Sequence, residues 1–307
     1  MLHFTSLVGV NLKNTWLTIG SFDGVHIGHQ QLIYELNNKA HQAKAKSVVL
    51  TFHPHPAVVL RGRTDAFYLT TSDEKLKLLD ELNTDVVITH PFTLEISKST
   101  AREFILSLME HLDFRQLWAG NDFALGKGRE GNVAFLSQLG SELNYQVHIL
   151  KPILSDGRTI SSSRIRNLLV DGDIEEANKL LGRPYLISGE VIHGDGRGKS
   201  IGIPTANIET GNEKLIPAAG VYACQAQIMD KFWIAAVNIG TRPTFVSSNP
   251  RVNIEAHILD YSGDLYTQQL SLQFFTRIRG EQRFDHVEEL IIQIHRDIKS
   301  TREIFAR

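Results

Sequence analysis

The first half of the chain alternates two hydrophobic periods. Short apolar runs read as buried strands: "TWLTIGSF" at 15–22, "SVVLTF" at 47–52, "DVVITH" at 85–90, "QLWAG" at 116–120 and "QVHIL" at 146–150. Between them lie stretches with apolar residues at helical spacing. These are "HQQLIYELNNKAHQA" from residue 29, "SDEKLKLLDEL" from 72, opening on a serine cap with acidic first-turn residues, and "STAREFILSLMEHL" from 99. Strands separated by helices of this length need crossover connections, which predicts a parallel sheet with helices on both faces. Ligands of such sheets bind beyond the carboxyl ends of the strands.

After "SSSRIRNLLVDGDIEEANKLLGRPY" the texture changes. Residues 186–278 give short alternating runs, among them "LISGEVIHG", "GVYACQAQI", "FWIAAVNIG" and "RVNIEAHILD", punctuated by Gly, Pro, Asn and Asp. That pattern predicts an antiparallel barrel or sandwich, followed by an amphipathic helix through "HVEELIIQIHRDIKSTREIF". The change of period places a domain boundary near residues 181–184, dividing the chain into 1–182 and 183–307.

At 307 residues two domains are the expectation, and charged (21%) and apolar (42%) fractions are those of a globular protein. A net charge of -2 with no basic stripe argues against a nucleic-acid partner. The single cysteine, Cys224, lies in an apolar run, reads as a small core residue and fits a reducing cytosol. No basic region followed by a long apolar one opens the chain, and no apolar stretch approaches a membrane span. A soluble, cytoplasmic protein without a membrane partner is expected, and the oligomeric state is left open.

Two stretches carry candidate chemistry. In "SFDGVHIGHQ" a strand is expected to end at Phe22, a turn to pass through Asp23 and Gly24, and a helix to begin near Gly28 or His29. Gly28 lets a ligand lie against the backbone, the helix start favours phosphate, and His26 and His29 can donate to oxygens gaining charge around a phosphorus under attack. The alternative, a cap and a surface histidine, gives way because strand, turn, glycine and helix occur in the required order. Later, "ISSSRIRNLL" places hydroxyls at Ser161, Ser162 and Ser163 before a helix carrying Arg164 and Arg166, suitable for a triphosphate. "GNDFALGKGREGN" is a polar, glycine-rich loop with Asn121, Asp122, Lys127 and Arg129. The second stretch is "GDGRGKSIGIPTANI". Its glycines, including Gly196 and Gly198, could wrap phosphates beside Lys199, while Thr205 and Asn207 share one side of a strand and suit Mg²⁺. Glu255, in "RVNIEAHILDY", points away from Ile254 and Ala256.

The His-Ile-Gly-His string resembles the signature of nucleotidyltransferases, and "FDGVHIGHQQLI" as a whole resembles the opening of bacterial bifunctional riboflavin kinase/FAD synthetases. "TFHPHPAVVL", "GNDFALGKGREGN", "ISSSRIRNLL", the Pro-Thr-Ala-Asn segment, "NIGTRPTF" and the run from Val252 to Phe284 match the same family in order. The resemblance implies an N-terminal α/β (Rossmann-like) nucleotidyltransferase domain and an all-β riboflavin kinase barrel. It implies that riboflavin is phosphorylated with ATP and Mg²⁺ to FMN, and FMN is then adenylylated to FAD with release of pyrophosphate. It assigns catalysis to His26, His29 and Glu255, the last as the base for the ribityl hydroxyl. ATP or its phosphates fall to Phe22, Asp23, Gly24, Gly28, Ser162, Arg166, Gly196, Gly198 and Lys199, the flavin to Asn121 and Asp122, and metal to Thr205 and Asn207. Ala124, Ser163, Lys199 and Ile203 depart from the family's usual residues. A class I tRNA synthetase-like enzyme would want a lysine-rich loop and a basic surface in place of "ISSSRIR". A flavin-binding module without chemistry would not be expected to keep His26, His29, Asn207 and Glu255 together.

Overall fold

The computed structural model describes residues 1–194, 198, 201–242 and 251–306, and the chain divides into two compact units, Met1–Ser162 and Ser163–Arg307. In the first unit, β1 (Leu2–Phe4), β2 (Thr15–Ile19), β3 (Lys46–Phe52), β4 (Val86–His90), β5 (Phe114–Gly120) and β8 (Gln146–Leu150) form one sheet in the order β1-β4-β3-β2-β5-β8, with every pairing parallel. Short hairpin strands β6 (Ala124–Leu125) and β7 (Gly131–Asn132) follow β5, and β9 (Leu154–Ser155) pairs with β10 (Arg158–Thr159).

Alternate strand residues feed two cores, one on each face. Leu17, Ile19, Val48, Leu50, Val86 and Ile88 pack with α4 (Ala101–Leu112) and α5 (Val133–Leu143), while Val49, Val87 and Trp118 pack with α1 (Ile27–Gln42) and α3 (Ser72–Glu81). A fully buried leucine or isoleucine stabilises by roughly 1.5–3 kcal/mol, so burial on both faces is what chiefly holds this layer structure together. Helix α3 differs from expectation at its start: Thr71, not Ser72, is the cap, closing a capping box with Glu74. Between β3 and α3 lies the short α2 (Pro56–Arg61), whose cap is His55.

In the second unit the alternating runs close into a barrel rather than a sandwich. Its order is β11 (Tyr185–Ile192), β12 (Ala206–Glu209), β15 (Arg251–Ile258), β14 (Lys231–Arg242), β13 (Gly220–Ile228), β16 (Gln269–Gly280) and back to β11. Inward positions such as Ile187, Val237, Ile254, Ala256 and Leu272 are buried, and so is Cys224, whose thiol burial pushes up toward the neutral form.

Helices α6 (Ser162–Asp171) and α7 (Ile174–Leu181) precede the barrel. The Ala218 amide donates to the Leu169 carbonyl, and Asn178 donates to the Phe274 carbonyl at 2.8 Å and accepts from the Tyr185 amide at 2.7 Å. Those bonds explain why packing divides the chain after Ser162, whereas the change of hydrophobic period falls near residue 182. The last helix, α8 (Val287–Phe305), is anchored by Asp297, whose carboxylate accepts three hydrogen bonds from the Arg279 guanidinium and one from Gln293.

Candidate active sites

The first site begins where β2 stops. The strand ends at Ile19, not at Phe22, and the next residues form a turn with Phe22 (φ 45°), Gly24 (φ 81°) and Val25 (φ 37°) in the left-handed region. Such values are costly for phenylalanine and valine and persist only where surroundings over-determine them. Here they do. The Asp23 carboxylate, fully buried, accepts from the amides of Leu69 (3.0 Å) and Thr70 (3.1 Å) and from the Thr70 hydroxyl (3.3 Å), whose oxygen in turn accepts from the Gly24 amide. Gln30 reaches back to the Val25 carbonyl at 2.7 Å, and the Ser162 hydroxyl donates to the Asp23 carbonyl at 2.9 Å. Ser162 is thereby bonded to the turn itself.

Helix α1 starts at Ile27 with His26 as its cap. Nδ1 of His26 accepts from the His29 amide at 3.3 Å, so its proton sits on Nε2. The two imidazoles stack, with centroids 3.6 Å apart and planes 16° from parallel, and Phe22 meets His29 edge-on. A Cβ at Gly28 would stand 3.2 Å from the His26 ring, tighter than ordinary contact, so a side chain there would press on the stack. Burial above all, then the charges of His26 and Lys75, hold the His29 imidazole well below the usual histidine range, which keeps it neutral. Its Nδ1 is buried without a hydrogen-bond partner. A neutral His29 imidazole results, stacked on His26 beside the amides of a helix start.

This turn lies at the topological switch point of the sheet. From β2 the strand order runs one way through β3 and the other way through β5, the setting in which open α/β sheets hold ligands. The neighbouring loop leaves β5 at Gly120 with Asn121 and Asp122, both exposed, and Arg129 donates to the Asp122 carbonyl at 2.9 Å. Arg164 pairs with Glu176 at 3.2 Å, and Arg166 lies on the same helix, α6.

The second site is written in barrel register. Asn207 of β12 pairs with Glu255 of β15, and Glu255 pairs with Asn238 of β14, so an amide, a carboxylate and an amide stand in one row across three strands. Their neighbours Ile208, Ile254, Ala256, Val237 and Ile239 are buried in the barrel, so the row faces the opposite way and is half-buried. Asn253 donates to Glu255 Oε1 at 2.5 Å. The glycines of the adjoining loop sit tight against this row: a Cβ at Gly194 would collide with the Asn207 amide, and one at Gly198 would strike the Ile203 carbonyl and stand 3.2 Å from the Thr205 hydroxyl. Thr205 and Asn207 therefore offer a hydroxyl and an amide oxygen close to glycine backbone, a set that fits a hard cation keeping several waters and phosphate ligands. Gly196 and Lys199 lie outside the described residues.

Thr70 and Lys75 escape a reading by motif, and Asn238, though it opens "NIGTRPTF", is not marked as a site residue by that string. Lys75 resembles any polar position of an amphipathic helix, and Asn238 joins Glu255 only once strand register is known.

Residues 10–164 match the FAD synthetase family and residues 181–305 the riboflavin kinase family. Curated relatives named bifunctional riboflavin kinase/FMN adenylyltransferase are 36% identical in Listeria monocytogenes (96% of this chain, 93% of the relative) and 37% identical in Escherichia coli K12 (94% and 92%). The chain belongs to this bifunctional family. Family membership covers both units: the His26–His29 turn falls inside the first matched stretch and the Asn207–Glu255–Asn238 row inside the second, while Arg166 lies between the two. A solved structure from Streptococcus pneumoniae, titled a macrolide-efflux protein, shares the fold with a TM-score of 0.90 at 28% identity over 98% of each chain. Among the described residues of this chain, no helix is long and apolar enough to cross a membrane.

Proposed function

We propose that the second unit transfers the γ-phosphoryl group of ATP to riboflavin, giving FMN, and that the first transfers AMP from a second ATP to FMN, giving FAD and pyrophosphate. The supporting observation is that each unit owns a separate polar constellation set against glycine backbone: the stacked His26–His29 pair in one, the Asn207–Glu255–Asn238 row in the other.

In the adenylyl site, FMN's phosphate oxygen attacks the α-phosphorus of ATP. His26 and His29 donate through Nε2 to the oxygens that gain charge, and the amides at the start of α1 face the same anion. Ser162 and Arg166 hold the remaining phosphates, and Asn121 and Asp122 line the flavin side. Phe22, Asp23 and Gly24 keep the turn in shape, with Asp23 acting through Leu69 and Thr70. In the kinase site, Glu255 takes the proton of the ribityl hydroxyl, and the loop containing Gly196, Gly198 and Lys199 wraps the ATP phosphates. Thr205 and Asn207 would hold Mg²⁺ together with the nucleotide, and the ion would offset phosphate charge there. The working compartment is the cytoplasm.

Incubating the purified chain with riboflavin, ATP and Mg²⁺ and separating the flavins by chromatography tests this reading. FMN should appear first and FAD after it. Turnover of riboflavin to neither product, under conditions where ATP binds, would refute it.

A further inference from the structure

A buried lysine lies in the first unit outside every motif of the sequence. Lys75, on α3, is 4% exposed, and its Nζ donates to the Ser21 carbonyl at 2.9 Å and to the Thr51 hydroxyl at 3.3 Å. Thr51 donates in turn to the same Ser21 carbonyl at 3.0 Å. Lysine is almost never fully buried without a reason, because removing an ammonium from water is expensive. Its place is informative: Ser21, with Gly20, lies between the end of β2 and the left-handed Phe22, where the backbone leaves the sheet to form the turn bearing Asp23 and His26.

We propose that Lys75 is a positioning residue of the adenylyl-transfer site, its buried ammonium fastening the turn that carries Asp23 and His26 and placing a fixed positive charge next to the histidine pair. The inference rests on the adenylyl-transfer reading of that site. Two consequences follow from the geometry. First, the Ser21 carbonyl, which has left the strand ladder, gains a charged donor, and hydrogen bonds to charged groups are the stronger kind. Second, a charge in a water-poor setting acts on a neighbouring polyphosphate with less screening than an exposed lysine would. The same charge bears on His29. The titratable or charged groups there are His26 on its own helix, Lys75 on α3 and, on the intervening turn, Asp23, whose carboxylate is bonded to the Leu69 and Thr70 amides. Lys75 opposes a second positive charge on the imidazole, so His29 remains neutral.

The test uses the full chain with Lys75→Met, which keeps most of the apolar stem and removes the ammonium, and Lys75→Arg, which keeps the charge. Wild-type conversion of FMN to FAD checks the underlying reading by itself, and its absence would fail that reading rather than this inference. Riboflavin phosphorylation by the same preparations reports on the other unit, and urea denaturation followed at Trp118 reports whether the first unit is folded. Lys75→Met should lower kcat/KM for FAD formation by about tenfold or more, the factor matching one pKa unit of lost interaction. In that variant the His29 imidazole, followed by NMR on histidine-labelled protein, should titrate at higher pH, and Lys75→Arg should hold it near the wild-type position. Wild-type FAD formation by Lys75→Met would overturn the proposal. So would lost activity with His29 titrating unchanged, which would leave Lys75 as a packing residue only.

Discussion

Replacing His26 by asparagine separates two roles that one side chain performs. His26 caps α1 through Nδ1 and, on the proposed mechanism, donates to the α-phosphate through Nε2. Asparagine is among the best cap residues, so His26→Asn should leave the first turn of α1 intact, whereas His26→Ala loses the cap at a cost of about 0.5–2 kcal/mol. Both lose the imidazole stacked 3.6 Å from His29. Removing one donor aimed at developing charge typically costs about 10²- to 10³-fold in rate, or about 2.7–4 kcal/mol. The two substitutions should therefore differ in stability and agree in activity. Urea denaturation of each variant, followed by a probe in the first unit such as Trp118, measures the former. FAD formation from supplied FMN measures the latter, with riboflavin phosphorylation as the internal control. If His26→Asn makes FAD at the wild-type rate, His26 is a cap and nothing more, and the two-donor mechanism is wrong.

Glu255→Gln should lower riboflavin phosphorylation by the roughly 10²- to 10⁴-fold expected of general-base catalysis while FAD formation from FMN is undiminished; equal loss of both would indicate misfolding instead. His29, His90 and His148 all have imidazoles lowered by burial, so the unfolded chain binds more protons than the folded one below the unfolded value of about 6.5. Stability of the first unit should accordingly fall between pH 7 and pH 5, and His29→Gln should flatten that slope in urea titrations at several pH values. Asp297→Ala strips Arg279 of its buried partner and should destabilise the second unit by about 3–5 kcal/mol, read from its unfolding midpoint. A fragment beginning at Ser163 should withstand heating better than one beginning at Pro184, because only the longer one keeps the Asn178 bonds to Phe274 and Tyr185.

The alternation of periods is enough to read a parallel α/β unit followed by a β-rich one, since hydrophobic spacing reports directly on which face a residue buries. Strand order is not legible in this way: nothing in "TWLTIGSF" or "QLWAG" states that these strands are neighbours, and the switch point depends on that adjacency. The turn is longer than the sequence suggests for a similar reason. Gly20 to Phe22 continue an apolar run, yet Phe22 turns left-handed because Asp23 is drawn to amides at Leu69 and Thr70, far away in sequence. Lys75 illustrates the limit most sharply. In "SDEKLKLLDEL" an amphipathic reading sends every charged residue to solvent, but Glu74 is bent back into a capping box and Lys75 inward to Ser21.

The two proposed reactions also make opposite demands on acid–base chemistry, and the residues divide accordingly. FMN attacks through a phosphate whose second ionisation lies near pH 6, so at neutral pH its nucleophile is already an anion and needs no base. The carboxylate nearest the histidine pair in sequence is engaged elsewhere, since Asp23 is bonded to the 69–70 segment, and what remains is a stacked pair of imidazoles. Riboflavin instead offers an alcohol, which attacks well only as it gives up its proton. There a carboxylate, Glu255, stands in register between two asparagines on the outward side of the barrel wall. If this division is right, exchanging the acidic group for its amide should matter in opposite ways: Glu255→Gln should slow phosphorylation without unfolding the barrel. Asp23→Asn should loosen the turn, and its effect on FAD formation should track the loss of stability. A variant of Asp23 that kept full stability and still lost FAD synthesis would place that carboxylate among the reacting groups and overturn the division.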